Sequence, residues 1–151
     1  MRHEPIRVLF VCIGNACRSQ MAEAFARAYG GDVLIAASAG LHPASFLAPH
    51  TIRAMSEKNL DLRDHFPKSI RQLGKRARFD LVVNMSGFPL PDRMEAPERE
   101  WDVPDPVSMS YEDHCTVRDR IESLVVQLVA ELRREQSPPR LRGQGSGRVP
   151  F

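Results

Sequence analysis

The chain has 151 residues, 42% of them apolar and 26% charged, with a formal net charge of +2. That length makes one domain with room for a real core, and no apolar run approaches the ~18 residues of a membrane span. Arg140, Arg142 and Arg148 sit in an acid-free tail, so the remainder carries no basic field that would argue for nucleic acid. The start of the chain lacks the apolar stretch of a signal peptide, so a cytoplasmic protein without membrane or nucleic-acid partners is expected. The cysteines at 12, 17 and 115 match neither a disulfide framework nor C-x-x-C, and no close histidine pair accompanies them. No metal and no cofactor are expected, and nothing in the sequence specifies an oligomer.

In chain order, residues 1–6 are a polar lead-in. Residues 7–11 read as a continuously apolar, β-branched strand covered on both faces. From 19 to 29, Met21, Ala22, Phe25, Ala26 and Tyr29 recur at helical spacing, and Gly30-Gly31 supplies a stop. Residues 33–37 predict a second strand leading into Ser38-Ala39-Gly40. Residues 41–48 form a loop with Pro43 and Phe46. Pro49 suits the start of the next helix, with Ile52, Met55 and Leu60 as its apolar stripe. A short helix is expected near 69–73, with His65 before it read as structural. Residues 79–85 predict another buried strand, broken off by Gly87, Pro89 and Pro91. Residues 101–103 predict a short strand. Ser110, with Asp113 three residues on, caps a long helix to about 134, lined by Val117, Ile121, Leu124, Val125, Leu128 and Leu132. Strands alternating with helices give an α/β fold, a three-layer α/β/α sandwich around a parallel sheet of about four strands. The domain is expected to occupy residues 1–136. Residues 137–151, with Pro138-Pro139 and three glycines, read as a flexible tail.

The chemistry concentrates where the first strand meets the first helix: Cys12-Ile13-Gly14-Asn15-Ala16-Cys17-Arg18-Ser19. A C-x5-R-S loop of this length can curl so that its backbone N–H groups converge, and the helix opening at Arg18-Ser19 adds its own N–H groups and dipole. The result is a receptacle for a tetrahedral oxyanion such as inorganic phosphate or arsenate, with Ile13 to Ser19 around it. A helix N-terminus and an arginine stabilise a thiolate, the nucleophilic form of cysteine. Arg18 can hold two oxygens through its planar fork, Ser19 can donate its hydroxyl to the Cys12 sulfur, and Gly14 and Asn15 tolerate φ > 0. The carboxyl end of strand one is also where open parallel sheets bind ligands. Asp105 is the candidate acid, because Pro104 and Pro106 present it from a stiff, extended loop; Asp102 is the rival.

Residues 8–23 resemble the signature of the low-molecular-weight protein tyrosine phosphatase family, a superfamily shared with the thioredoxin-coupled arsenate reductases. The similarity continues through Ser38-Ala39-Gly40, through residues 79–85 and through Asp105-Pro106, about residues 6 to 134 in all. The resemblance implies that Ser38 bonds Asn15 and holds the loop, that Phe46 and Leu47 wall the entrance, and that Cys17 can form a reversible disulfide with Cys12. It also implies catalysis without a metal: Cys12 takes the phosphoryl group, Arg18 and the loop amides hold its oxygens, and Asp105 protonates the leaving oxygen of a phosphorylated protein or small aryl phosphate. Gln20, where the phosphatases usually carry proline, and Trp101 are closer to the arsenate reductases. Those enzymes, however, need two further cysteines after the third strand, and residues 84–99 contain none. The sequence therefore favours a phosphatase acting through a phosphocysteine. Arsenate reductase drawing on an external thiol is the alternative, and a non-catalytic oxyanion-binding protein the third reading.

Overall fold

The computed structural model describes residues 4–74, 77–91 and 94–136. Four strands, β1 (Ile6–Cys12), β2 (Leu34–Gly40), β3 (Leu81–Asn84) and β4 (Glu98–Glu100), form one parallel sheet in the order β2-β1-β3-β4. Three helices complete the fold: α1 (Arg18–Gly30), α2 (Pro49–Ser56) and α3 (Tyr111–Gln136), with a 3-10 turn at Arg71–Leu73. This is the α/β fold expected, and its strand order places a switch point beside the end of β1, where such sheets bind ligands.

Alternation along β1 sorts the core into two halves. Val8, Phe10 and Cys12 face Met21, Ala22 and Phe25 of α1, Met55 of α2, and Val117, Ile121, Val125, Leu128, Val129 and Leu132 of α3. Leu9 and Val11 face the other way, onto Ile70, Leu73, Phe79, Leu90, Met94 and Ala96. All three helices thus share the thick side, and the third layer consists of the 3-10 turn and loops. Fully buried rings such as Phe10 and Phe25 each contribute roughly 1.5–3 kcal/mol by leaving water. Ser110 caps α3 as predicted, its Oγ accepting the Asp113 N–H at 3.1 Å.

Several boundaries differ from the sequence reading. β2 runs on through Ser38-Ala39-Gly40, because β1 pairs with it as far as Cys12 opposite Gly40. The fourth strand is Glu98–Glu100 rather than 101–103. It is a sheet edge with charged residues, which resists further pairing but gives no apolar signal. Trp101 instead leans on Phe10, ring centroids 5.9 Å apart. α2 ends at Ser56, the chain turns at Asn59 (φ 62°), and Leu60 packs from outside the helix. Tyr29 is partly exposed and bonds Glu122 instead of joining the core. The tail expected at 137–151 lies outside the described residues. Among the described residues, no helix is long and apolar enough to cross a membrane.

Candidate active site

β1 delivers Cys12 to the sheet's carboxyl edge, and the next five residues curl back before α1 starts at Arg18. The one left-handed residue in this loop is Asn15, at φ 52°. Gly14, expected to share that freedom, does not use it: its φ is not positive, and a Cβ there would meet only ordinary contacts near Ala44. The left-handed cost of roughly 1–2 kcal/mol at Asn15 is offset by its side chain, whose polar groups are fully engaged. Nδ2 donates to Ser19 Oγ at 2.7 Å and to Ser38 Oγ at 3.0 Å. Oδ1 accepts from Gln20 Nε2 and from the Lys68 N–H, both at 3.0 Å. Ser38 in turn donates to Glu23 Oε1 at 2.5 Å, and Glu23 pairs with Arg27 at 2.6 Å.

The Asn15–Ser19 bond fixes the sense of the next one. With an amide N–H on its oxygen, the Ser19 hydroxyl is left to donate to Cys12 Sγ, 2.9 Å away, and the Ser19 N–H lies 3.4 Å from the same sulfur. Both contacts place a donor against the sulfur at the start of α1. Cys12 itself is 2% exposed.

Arg18 is buried and held from behind. Its Nη1 donates to the carbonyls of Met85, just past β3, and of Val103, at 3.0 Å for the latter. Nη2 lies 3.5 Å from Asp105 Oδ2, and Nε, also buried, has no partner. Asp105, about two-fifths exposed, is fixed at its other oxygen by the Val107 N–H at 3.1 Å. Pro106 behind it is buried. The rival Asp102 is exposed, with its carbonyl tied to Arg120. The structure therefore brings together Cys12, Arg18, Ser19, Asn15, Ser38 and Asp105, with Ile13, Gly14, Ala16 and Cys17 forming the curl between them. Leu47 is a correction: it is 3% exposed and belongs to the core rather than to an entrance wall, whereas Phe46 projects outward. A cavity of about 490 Å³ opens beside Ile13, lined by Leu41, His42 and residues 88–91.

Other residues escape the motif reading. Gly40 backs onto the loop so closely that a Cβ would stand 2.6 Å from the Ile13 carbonyl oxygen and 2.9 Å from the Asn15 nitrogen. Gln20 is fully buried and ties Asn15 to His65 Nδ1 at 3.2 Å and to the Phe66 carbonyl at 3.1 Å. Ser19, Gln20 and Glu23 fall at i, i+1 and i+4 on a helix whose apolar residues are also buried. Polar side chains turned inward at a helix start were the available signal. Cys17, also buried, has its thiol pushed up to about 11 by burial, a push eased by the Thr51 hydroxyl. Among the described residues, no cluster of three or more His, Cys, Asp or Glu is placed to hold a metal ion.

The comparisons with known proteins agree on the superfamily. The family model for low molecular weight phosphotyrosine protein phosphatase matches residues 7–138. A glutaredoxin arsenate reductase from Synechocystis sp. is 32% identical over 130 residues, 83% of this chain and 98% of that protein. An arsenate reductase in its phosphate-binding state superposes with a TM-score of 0.76 at 30% identity, covering 84% of this chain and 98% of the other. The YwlE arginine phosphatase from Geobacillus stearothermophilus gives 0.74 at 25% identity, over 87% and 96% of the two chains. The relatives named as arsenate reductases thus stand nearer than the sequence preference for a phosphatase anticipated. On the extent of the family match, and with a free cysteine ending the first strand of a parallel sheet and an arginine and a serine opening the helix that follows, the chain belongs to the low molecular weight phosphotyrosine protein phosphatase family.

Proposed function

We propose that this chain reduces arsenate at Cys12, drawing its electrons from a thiol outside the chain. The observation that carries the reading is its similarity to an arsenate reductase along 98% of that protein's length, joined to the absence of any cysteine in residues 84–99. The likeness supports the oxyanion chemistry, and the missing cysteines move the reductant elsewhere.

In this reading the oxyanion sits over Cys12, with two oxygens on the free Nε edge of Arg18 and the others on the loop amides. The Cys12 thiolate attacks arsenic, and one arsenate oxygen leaves as water. A second thiolate then attacks Cys12 Sγ. The sulfur–arsenic bond breaks with its electron pair going to arsenic, so arsenite departs and Cys12 is left in a disulfide. A further thiol opens that disulfide and returns Cys12. The sum is one arsenate and two thiols giving arsenite, one disulfide and water.

A second reading, hydrolysis of a phosphorylated protein or aryl phosphate, is favoured by one specific contact. Asp105 stands 3.5 Å from Arg18, where an acid could protonate a leaving oxygen and later activate water on a phosphocysteine. The two readings part in parallel assays of one sample. Arsenate turnover supported by a small thiol with glutaredoxin, and weak with thioredoxin alone, is the expected outcome. Aryl phosphatase activity that falls ~10²–10⁴-fold in Asp105→Asn, with no arsenate turnover under any donor, overturns the first reading in favour of the second. Phosphate binding without either activity leaves the oxyanion-binding protein.

A further inference from the structure

Inorganic arsenate is small and wholly polar, yet the cavity beside Ile13 is neither. Its volume of about 490 Å³ lies in the range of sites that take organic ligands. Ile13, Leu41 and His42 form one side, and residues 88–91, Phe-Pro-Leu-Pro, the other. No lysine, arginine or carboxylate lines it. Both walls continue from the groups that handle the oxyanion. The Leu41 N–H donates to the Cys12 carbonyl at 3.1 Å, and the His42 N–H to that of Ile13 at 2.8 Å. Opposite, the chain reaches Phe88 from Met85, whose carbonyl holds Arg18, and Asn84 Nδ2 fixes the Phe88 carbonyl at 2.8 Å. We propose that this cavity seats the aryl group of an organic oxyanion whose head lies in the loop, and that arylarsonates are substrates alongside arsenate. The inference deepens the arsenate reading and rests on it for the reaction, though not for the binding.

The walls choose among occupants. An oxyanion without a substituent gains nothing from apolar contact, and its charge is met by Arg18 and the loop amides. A small peptide thiol brings charged ends, which lose water here without finding a partner. An aryl ring suits the cavity on both counts. It is uncharged, and four of the seven lining residues, His42, Phe88, Pro89 and Pro91, carry rings against which a flat ring packs.

The reaction keeps the substituent throughout, so a seat for it serves every step. The Cys12 thiolate attacks the arsenic of the arylarsonate, and one arsonate oxygen, protonated, leaves as water. A second thiolate then attacks Cys12 Sγ. The sulfur–arsenic electron pair stays on arsenic, and arylarsonous acid departs. A further thiol reopens the disulfide left on Cys12. One arylarsonate and two thiols thus give one arylarsonous acid, one disulfide and one water, and the carbon–arsenic bond never breaks. An aryl phosphate instead surrenders its aryl–oxygen group in the first step. The shared chemistry is an aryl-substituted tetrahedral head, and the two fates are separate arms of the test.

Calorimetry with phenylphosphonate and methylphosphonate, which share one head and undergo neither reaction, reads the cavity alone. Phenylphosphonate should bind roughly 10–100-fold more tightly, the usual return for burying a ring. Leu41→Ala and Leu90→Ala, which cut back half-buried walls, should each narrow that preference about 3–10-fold and leave methylphosphonate affinity in place. Phe88→Ala, at an exposed position, carries the same test if a leucine variant folds poorly. Equal affinities for the two phosphonates overturn the proposal, as does a preference that all three variants leave intact. Turnover then tests the substrate. Thiol-driven reduction of phenylarsonate above the Cys12→Ser background is expected, with kcat/KM at least that for arsenate. Arsenate turnover without phenylarsonate turnover overturns the proposal and leaves the arsenate reading standing. Hydrolysis of phenyl phosphate with neither arsenical reduced sinks that reading and the arylarsonate reaction with it, while the phosphonate preference still decides the cavity.

Discussion

Two neighbouring strands, β1 and β3, end side by side at the same edge of the sheet, yet the segments that leave them are built in opposite ways. After β1, residues 15–20 are all buried, and Asn15, Ser19, Gln20, Glu23 and Ser38 form one connected hydrogen-bond network. After β3 the order is brief. Asn84 and Ser86 bond one another and the Phe88 carbonyl, and then Gly87, Phe88 and Pro89 stand exposed. The side chains of the first segment hold one another in place, which is the kind of fixed arrangement that electrostatic preorganisation requires. The second contains no thiol, and among the described residues its side-chain bonds are confined to the turn after β3 and one bond from Asn84 to Glu98. On the proposed arsenate reading, the first segment would hold the oxyanion and the electrons would come from outside the chain.

The sharpest way to break that contrast is at the sulfur. Cys12→Ser should reduce turnover of arsenate or aryl phosphate to background while calorimetry still detects phosphate, because the amides and Arg18 remain. Arg18→Lys should cost ~10²–10³-fold, since a point charge cannot replace a fork held by the Met85 and Val103 carbonyls. Steady-state kinetics of either variant at near-normal rate would remove the loop from the chemistry.

Preorganisation itself is tested at Gly40. A methyl there would collide with the Ile13 carbonyl oxygen at 2.6 Å and the Asn15 nitrogen at 2.9 Å, both backbone atoms. Gly40→Ala should therefore shift the loop, lowering kcat/KM ~10–100-fold with a stability loss of about 1–3 kcal/mol by denaturant unfolding. An unaltered kcat/KM would show that the loop tolerates displacement.

A smaller effect comes from Cys17 and depends on pH. Its folded value is about 11 against an ordinary 9.0, raised chiefly by burial. The folded state thus keeps its proton after the unfolded chain has lost it. The contribution to stability is fully present below pH 9 and is lost as pH rises towards 11, a change on the order of 2–3 kcal/mol. Cys17→Ser should lack this alkaline decline. Parallel unfolding midpoints for the two proteins at pH 8 and pH 11 would decide it.

How much of this was legible follows the same contrast. The strand, the loop and the helix of residues 6–30 could be read because a continuous apolar run, a spaced Cys–Arg pair and helical period all agreed. Ser38 came from resemblance and Asp105 from its flanking prolines together with the resemblance, and the structure places both beside the loop. Gly40's close approach to the loop was missed because it is a contact between elements distant in sequence, which no local period encodes. β4 was misplaced because an edge strand of Glu-Arg-Glu carries no apolar pattern. Gln20 was read as a family marker, but its burial and bonds make it part of the frame.

The smallest expected effect lies at the tip of the second segment. Phe88 is 57% exposed, and its backbone rather than its ring receives the bonds from Asn84 and Ser86. Removing the ring should change stability by no more than about 0.5 kcal/mol, the usual scale for a surface position. Arsenate turnover driven by a small thiol should also hold steady in Phe88→Ala, because such a donor needs only an open path to Cys12. A protein dithiol makes a different demand, since it must seat against whatever surrounds the cavity beside Ile13. Equal turnover of Phe88→Ala and wild type with the small thiol, measured beside turnover with a reducing protein, separates the two demands. A loss confined to the protein donor would give the exposed ring a task and redraw the contrast between the loops. A loss of stability well beyond 0.5 kcal/mol would do so more directly, by showing that the segment after β3 is as firmly built as the one after β1.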